Sequence, residues 1–130
     1  MTVLDALLDK GLTCPVCGET LVIGFNLQQG HIKCETCEYR FEYTYHSRNA
    51  SELIVAWLVL TGGPIPGSIP PPENQTYSVF YNMDWWRLEW RFTRWVGLNG
   101  DTIQPKCWML MPRQRTIEGV TEWLGRKIDA

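Results

Sequence analysis

Histidine is scarce in this chain, and so are the patterns that make a nucleophile. His31 and His46 are the only two among 130 residues, and neither stands beside a cysteine, serine or carboxylate arranged as a nucleophile with its base. Acids paired at catalytic spacing are absent, and Gly62, Gly63 and Gly67 lack the lysine of a phosphate-cradling loop. These absences set aside an enzyme and a small-molecule substrate. A dominant charge sign is lacking too: a formal net charge of −2 excludes a generally basic surface that attaches to nucleic acid everywhere. The continuous apolar run at residues 53–60 would reach only about 12 Å as a helix against about 30 Å of bilayer hydrocarbon, so no membrane span is expected. The first residues also lack the basic stretch and long apolar centre of a secretory leader. Residues 2–10 read as a short amphipathic helix, and a cytoplasmic location is expected.

What the chain does have is cysteine, five residues of it, with four placed as two close pairs. Cys14-Pro15-Val16-Cys17 and Cys34-Glu35-Thr36-Cys37 each bring two thiolates onto one short turn, and sixteen residues separate them. Two such turns supply the four soft donors of a tetrahedral zinc ion, at a spacing within the range of C-x2-C…C-x2-C sites. A closed four-thiolate shell leaves no position for catalysis. Two disulfides fit a reducing compartment poorly, and a redox-active CxxC belongs in a βαβ pattern that this region lacks. His31, three residues before Cys34, is either a replacement ligand or a hairpin surface residue, and the surface reading is preferred. Cys107 lies beside Trp108 and Met109 and reads as a core residue.

Around the knuckles the side-chain period is two. Leu21, Ile23, Phe25 and Leu27 alternate with Thr20, Val22, Gly24 and Asn26, and Gln28-Gln29-Gly30 is the expected polar turn. Tyr39, Phe41, Tyr43 and Tyr45 then alternate with Arg40, Glu42, Thr44 and His46. With its CPVCG and CETC knuckles and the hairpin between them, the stretch over about residues 12–46 resembles a zinc ribbon, with the rubredoxin-like type of knuckle. Rubredoxins hold iron in such a shell, but Glu38 stands where they usually place a glycine, so zinc is the expected ion. The resemblance implies Cys14, Cys17, Cys34 and Cys37 as metal ligands and implies no catalytic residue. It is specific for fold and leaves function open, because zinc ribbons serve many proteins as rigid platforms for protein or nucleic-acid contacts.

The expected organisation is a short helix with the ribbon at 1–46, a buried apolar element at 47–63, a proline-rich linker at 64–75 and a Trp/Arg-rich antiparallel sheet with a C-terminal helix at 76–130. Residues 53–60 suit a buried helix that Asn49 or Ser51 caps and Gly62-Gly63 ends, although their β-branched content also fits a strand. The prolines from Pro64 to Pro72 fix backbone angles and remove donors, which favours an extended spacer. Beyond it, Trp86, Leu88, Trp90 and Phe92 alternate with Arg87, Glu89, Arg91 and Thr93, so residues 85–96 read as one strand. Residues 77–81 are expected to pair with it. Asn99-Gly100 is expected as the hairpin turn, and residues 107–111 as the returning strand. Thr116 should cap a final helix with Ile117, Val120, Leu124 and Ile128 on its apolar stripe. The fold class is therefore α+β, mainly antiparallel β.

Two binding functions fit this pattern. Residues 76–130 carry eight Lys/Arg against six Asp/Glu, and Arg87, Arg91, Arg94, Lys106, Arg113 and Arg115 outnumber the acids in residues 84–115. Strict alternation would leave Trp85, Arg87, Arg91 and Trp95 on the outer face, as a protein-recognition surface of the residue types enriched at interface hot spots. The expected protein is a non-enzymatic adaptor or inhibitor. The alternative is a single-stranded nucleic-acid or RNA binder whose aromatics stack on bases while its arginines contact phosphate.

Overall fold

The computed structural model describes residues 1–27, 29–44 and 49–128. Helix α1 (Val3–Lys10) begins where the Thr2 hydroxyl accepts the Asp5 N–H and the Asp5 carboxylate accepts the Thr2 N–H. That exchange satisfies two of the donors a helix start leaves without partners, and the helix buries Val3, Ala6 and Leu7. Strands β1 (Leu12–Thr13), β2 (Thr20–Phe25), β3 (Gln29–Cys34) and β4 (Arg40–Thr44) follow as an antiparallel sheet in chain order. Leu21 and Ile32 are buried on it, with Ile23, Tyr39 and Phe41 packed beside them. The turn between β2 and β3 comes earlier than expected. Asn26 Oδ1 accepts the Gln29 N–H at 2.7 Å, so the reversal closes around Leu27 and Gln29 and Gly30 already belong to β3. Gln28, Tyr45 and His46 lie outside the described residues.

The apolar run is a helix, α2 (Ala50–Thr61), capped by the Asn49 side chain on the Ser51 N–H. It ends at Gly62, whose φ of 82° is left-handed backbone that glycine adopts without penalty. Leu53, Ile54, Trp57 and Leu58 are buried, and the Trp57 indole donates to the Tyr39 hydroxyl at 3.0 Å, tying α2 to the first sheet.

Part of the segment 64–75 is packed where a spacer was expected, with Pro64, Ile65, Ile69 and Pro71 buried. Ile65 and Pro66 form strand β5, Ile65 and Ile69 are buried, and Trp108 Nε1 donates to the Ile69 carbonyl at 2.9 Å. An edge strand can do without one ladder donor, so the prolines that forbid a central strand are compatible with this one. Gly67 approaches the neighbouring loop so closely that a Cβ there would lie 1.9 Å from the Pro105 carbonyl oxygen.

Strands β6 (Gln75–Tyr81), β7 (Asp84–Arg91), β8 (Arg94–Val96), β9 (Thr102–Ile103) and β10 (Cys107–Met109) complete a second antiparallel sheet in the order β5-β10-β6-β7-β8-β9. The single strand expected over 85–96 is thus two. Phe92 (φ 50°) and Thr93 (φ 68°) make a two-residue turn that sets Trp95 directly opposite Trp90. Opposed residues share a face, so Trp95 is only 3% exposed and faces the core, contrary to its expected outward position. Phe92 sits at the hairpin tip, 77% exposed, where an inward position was expected. Asn99 and Gly100 do lie in a hairpin loop, but it delivers β9, and β10 crosses the sheet to lie between β5 and β6. Helix α3 (Ile117–Leu124) is capped by the Thr116 hydroxyl on the Gly119 N–H and buries Val120 and Leu124. Ile117 is exposed, and Trp123 takes the core position, its ring 5.8 Å from that of Trp108. The fold is α+β and mostly antiparallel strand, around an aromatic cluster that also includes Tyr77 and Trp95.

Candidate metal centre and recognition surface

Cys14 and Cys17 flank the turn between β1 and β2, and Cys34 and Cys37 flank the turn between β3 and β4. Because β2 and β3 pair with Leu21 opposite Cys34, the two turns emerge at the same end of the sheet. Their four Sγ atoms all lie within 4.8 Å of one another, with Cys14–Cys37 at 3.5 Å and Cys17–Cys34 at 3.4 Å. Each knuckle folds a backbone N–H back onto its own sulfur: Val16 donates to Cys14 and Cys37 donates to Cys34, both at 3.4 Å.

The thiols of Cys34 and Cys17 are shifted in opposite directions. Burial raises the Cys34 thiol, but the backbone N–H groups of Cys37 and Thr36 and the neighbouring thiols draw it down to about 7. The Glu19 backbone lowers Cys17, yet burial and the other three thiols push it up to about 12. One thiolate therefore opposes the next, and a cation among them removes the conflict. Four close sulfurs of this kind can hold a metal ion. Lys106 adds positive charge from the second sheet: a Cβ at Gly18 would lie 3.0 Å from its Nζ, which places the ammonium beside the first knuckle.

His31 takes no part in this cluster. Its ring lies over Gly24 on the neighbouring strand, where a Cβ would meet Nε2 at 2.4 Å, and burial, then Arg40 and Lys33, lower its pKa. Cys107 is fully buried, and burial pushes its thiol up to about 12, with Lys106 opposing and Cys14 adding to the rise. Such a thiol is a poor nucleophile and a poor ligand. Cys107→Ser should therefore keep one full equivalent of metal in elemental analysis, and a loss of metal would place Cys107 in the centre.

Of the six cations expected to form one patch, three are dispersed and three stay together. Arg115 donates from Nε and Nη2 to the Leu110 carbonyl, Arg113 pairs with Glu73 at 3.5 Å, and Lys106 sits at the knuckle. Arg87, Arg91 and Arg94 stay together on the face of β7–β8 turned away from the aromatic cluster, with Glu89 between them paired to Arg91 at 3.0 Å. Trp85 shares this face and packs edge-on against Phe80 at 5.3 Å, whereas Trp95 belongs to the opposite face. Of the four residues assigned to partner binding, Trp85, Arg87 and Arg91 thus share a face and Trp95 does not. Arg94 is the residue that sequence reading left out of this set. Its place follows from the Phe92-Thr93 turn, which lacks the Asn-Gly signal of such hairpins.

No protein-family model, no curated protein and no solved structure matches this chain.

Proposed function

We propose that this protein is a non-enzymatic zinc-binding module that recognises another protein, as an adaptor or inhibitor. The observation that carries the reading is the closed set of four thiols: every donor a tetrahedral zinc takes comes from the chain, which suits a structural ion. Soft donors in a tetrahedral set favour zinc over magnesium or calcium, and the knuckles on adjacent hairpin ends support the zinc-ribbon resemblance. Recognition falls to the outer face of β7–β8. There Arg87, Arg91 and Arg94 outnumber Glu89 in a chain whose net charge is −2, so the face is a local reversal of sign.

The test is capture from lysate with and without nuclease. A defined protein that survives nuclease supports the reading, and a catch lost to nuclease and salt would replace it with nucleic-acid binding. The variant Arg87→Ala/Arg91→Ala should weaken capture by about 2 kcal/mol, a hot-spot magnitude. Its melting temperature should stay within a few degrees, because both side chains are exposed and the Arg91–Glu89 pair is a surface one. Unchanged capture would return these arginines to a merely solvated face.

A further inference from the structure

Strand β7 is far better covered on one side than on the other. It pairs with β6 from Asp84 to Trp90, but with β8 only at Glu89, Trp90 and Arg91. Tyr81 and Asp84 close a two-residue turn through Asn82 and Met83, so the β7 positions that exchange hydrogen bonds with β6 are Asp84, Trp86, Leu88 and Trp90. Trp85 and Arg87 consequently direct their backbone groups toward the side that β8 does not reach. The Trp85 N–H is held by the Asp84 carboxylate at 2.8 Å; the Arg87 backbone has no strand partner on that side among the described residues. A short length of open sheet edge results.

Beside this edge lies a groove of about 380 Å³ between β7 and the 97–101 loop, lined on its apolar side by Trp86, Leu88, Leu98 and Ile103 and on its polar side by Asn99 and Asp101. Trp86 is 36% exposed and Leu98 75%, so apolar surface is presented next to open backbone groups. On the other face of the same edge stands Arg87, with no ion pair among the described residues, and Arg91 and Arg94 extend the positive charge past the end of the strand pairing.

We propose that this edge accepts an extended segment of a partner protein that alternates apolar and acidic residues. The segment adds a strand beside Trp85–Arg87, its apolar side chains entering the groove and its carboxylates facing Arg87. The two faces of one added strand match the two surfaces offered here, since successive side chains point to opposite faces. An opposite charge directly across from Arg87 is the favourable cross-strand pair. A second copy of this chain would bring Arg87 close to Arg87 in a two-fold pairing, so the charge favours an acidic partner over self-association. The inference rests on the protein-recognition reading above and adds the mode and chemistry of the partner.

The probe is a short end-blocked peptide of alternating valine and glutamate at millimolar concentration, read by amide hydrogen exchange and by the Trp86 indole resonance. Slowed exchange at the Arg87 N–H and a shifted Trp86 signal are expected, with a valine–lysine peptide binding about tenfold more weakly. Arg87→Glu should invert that preference, and Leu98→Ser should weaken the valine–glutamate peptide while leaving the charge preference. An Arg87 N–H that exchanges freely with the peptide present would overturn the proposal, as would indifference to Arg87→Glu. A dimer in sedimentation that Arg87→Glu dissolves would give the edge to a second copy instead, and oligothymidine protecting the same amide where the peptide does not would give it to nucleic acid. Partner capture that needs Arg87 and Arg91 while the Arg87 amide still exchanges freely would end this proposal and leave the protein-recognition reading standing.

Discussion

Cys34→Ser is expected to release the metal and unfold the N-terminal sheet. Four short strands bury little beyond Leu12, Leu21 and Ile32, so a metal ion held between the two knuckles would supply much of the sheet's stability. Structural zinc sites contribute on the order of 10 kcal/mol in small peptides at neutral pH, and losing one of four thiolates forfeits most of that. The melting temperature should fall by roughly 10 °C or more, alongside metal loss in elemental analysis. A chelator should reproduce the effect on the unsubstituted protein, and added zinc should reverse it. A variant that keeps its metal and its melting temperature would sink the four-thiolate assignment.

Trp108→Ala should be the most damaging change in the second sheet. The side chain is fully buried, with its ring 5.2 Å from Tyr77, 6.0 Å from Trp95 and 5.8 Å from Trp123, and its indole N–H donates to the Ile69 carbonyl. Truncation removes the packing of a large aromatic, worth about 3–5 kcal/mol, and leaves a carbonyl of the proline-rich segment without its partner. Trp108→Phe separates the two terms, since it retains a ring and loses the donor. Chemical denaturation should show the alanine variant clearly below the phenylalanine one. Equal stabilities, or a cost under about 1.5 kcal/mol for alanine, would mean that the cluster does not anchor the sheet.

The features legible in the sequence were those with local causes. Thiol spacing located the cluster, Asn49 or Ser51 and Gly62-Gly63 are the bounds the sequence offers for a helix over the apolar run, of which Asn49 and Gly62 serve, and Thr116 opened α3, because each depends on residues a few positions apart. The misread features had causes elsewhere in the chain. Phe92 and Thr93 lack the composition of a tight turn, and the reversal is imposed by the pairing of Glu89 with Val96 and Arg91 with Arg94. That turn alone moves Trp95 from the expected outer surface to the core. The residues after Pro64 looked like a spacer because proline content says what a backbone cannot do, and β10, which covers them, lies far along the chain. Lys106 beside Gly18 and the groove at Trp86 and Leu98 are likewise meetings of distant segments that no local pattern announces.

The position of β10 between β5 and β6 also sets an order in time. A ribosome delivers the first four strands as neighbours that pair in sequence, so the two cysteine knuckles can meet while most of the chain is still unmade. Ile65 and Ile69 emerge soon afterwards, yet the strand that covers them, with Trp108 at its centre, arrives only after β9. During that interval the growing chain carries a paired first sheet, a helix α1 whose start still lacks its backbone partners at Arg126 and Ile128, and an aromatic half without its keystone, and a chain that stops short of Cys107 would never leave that condition.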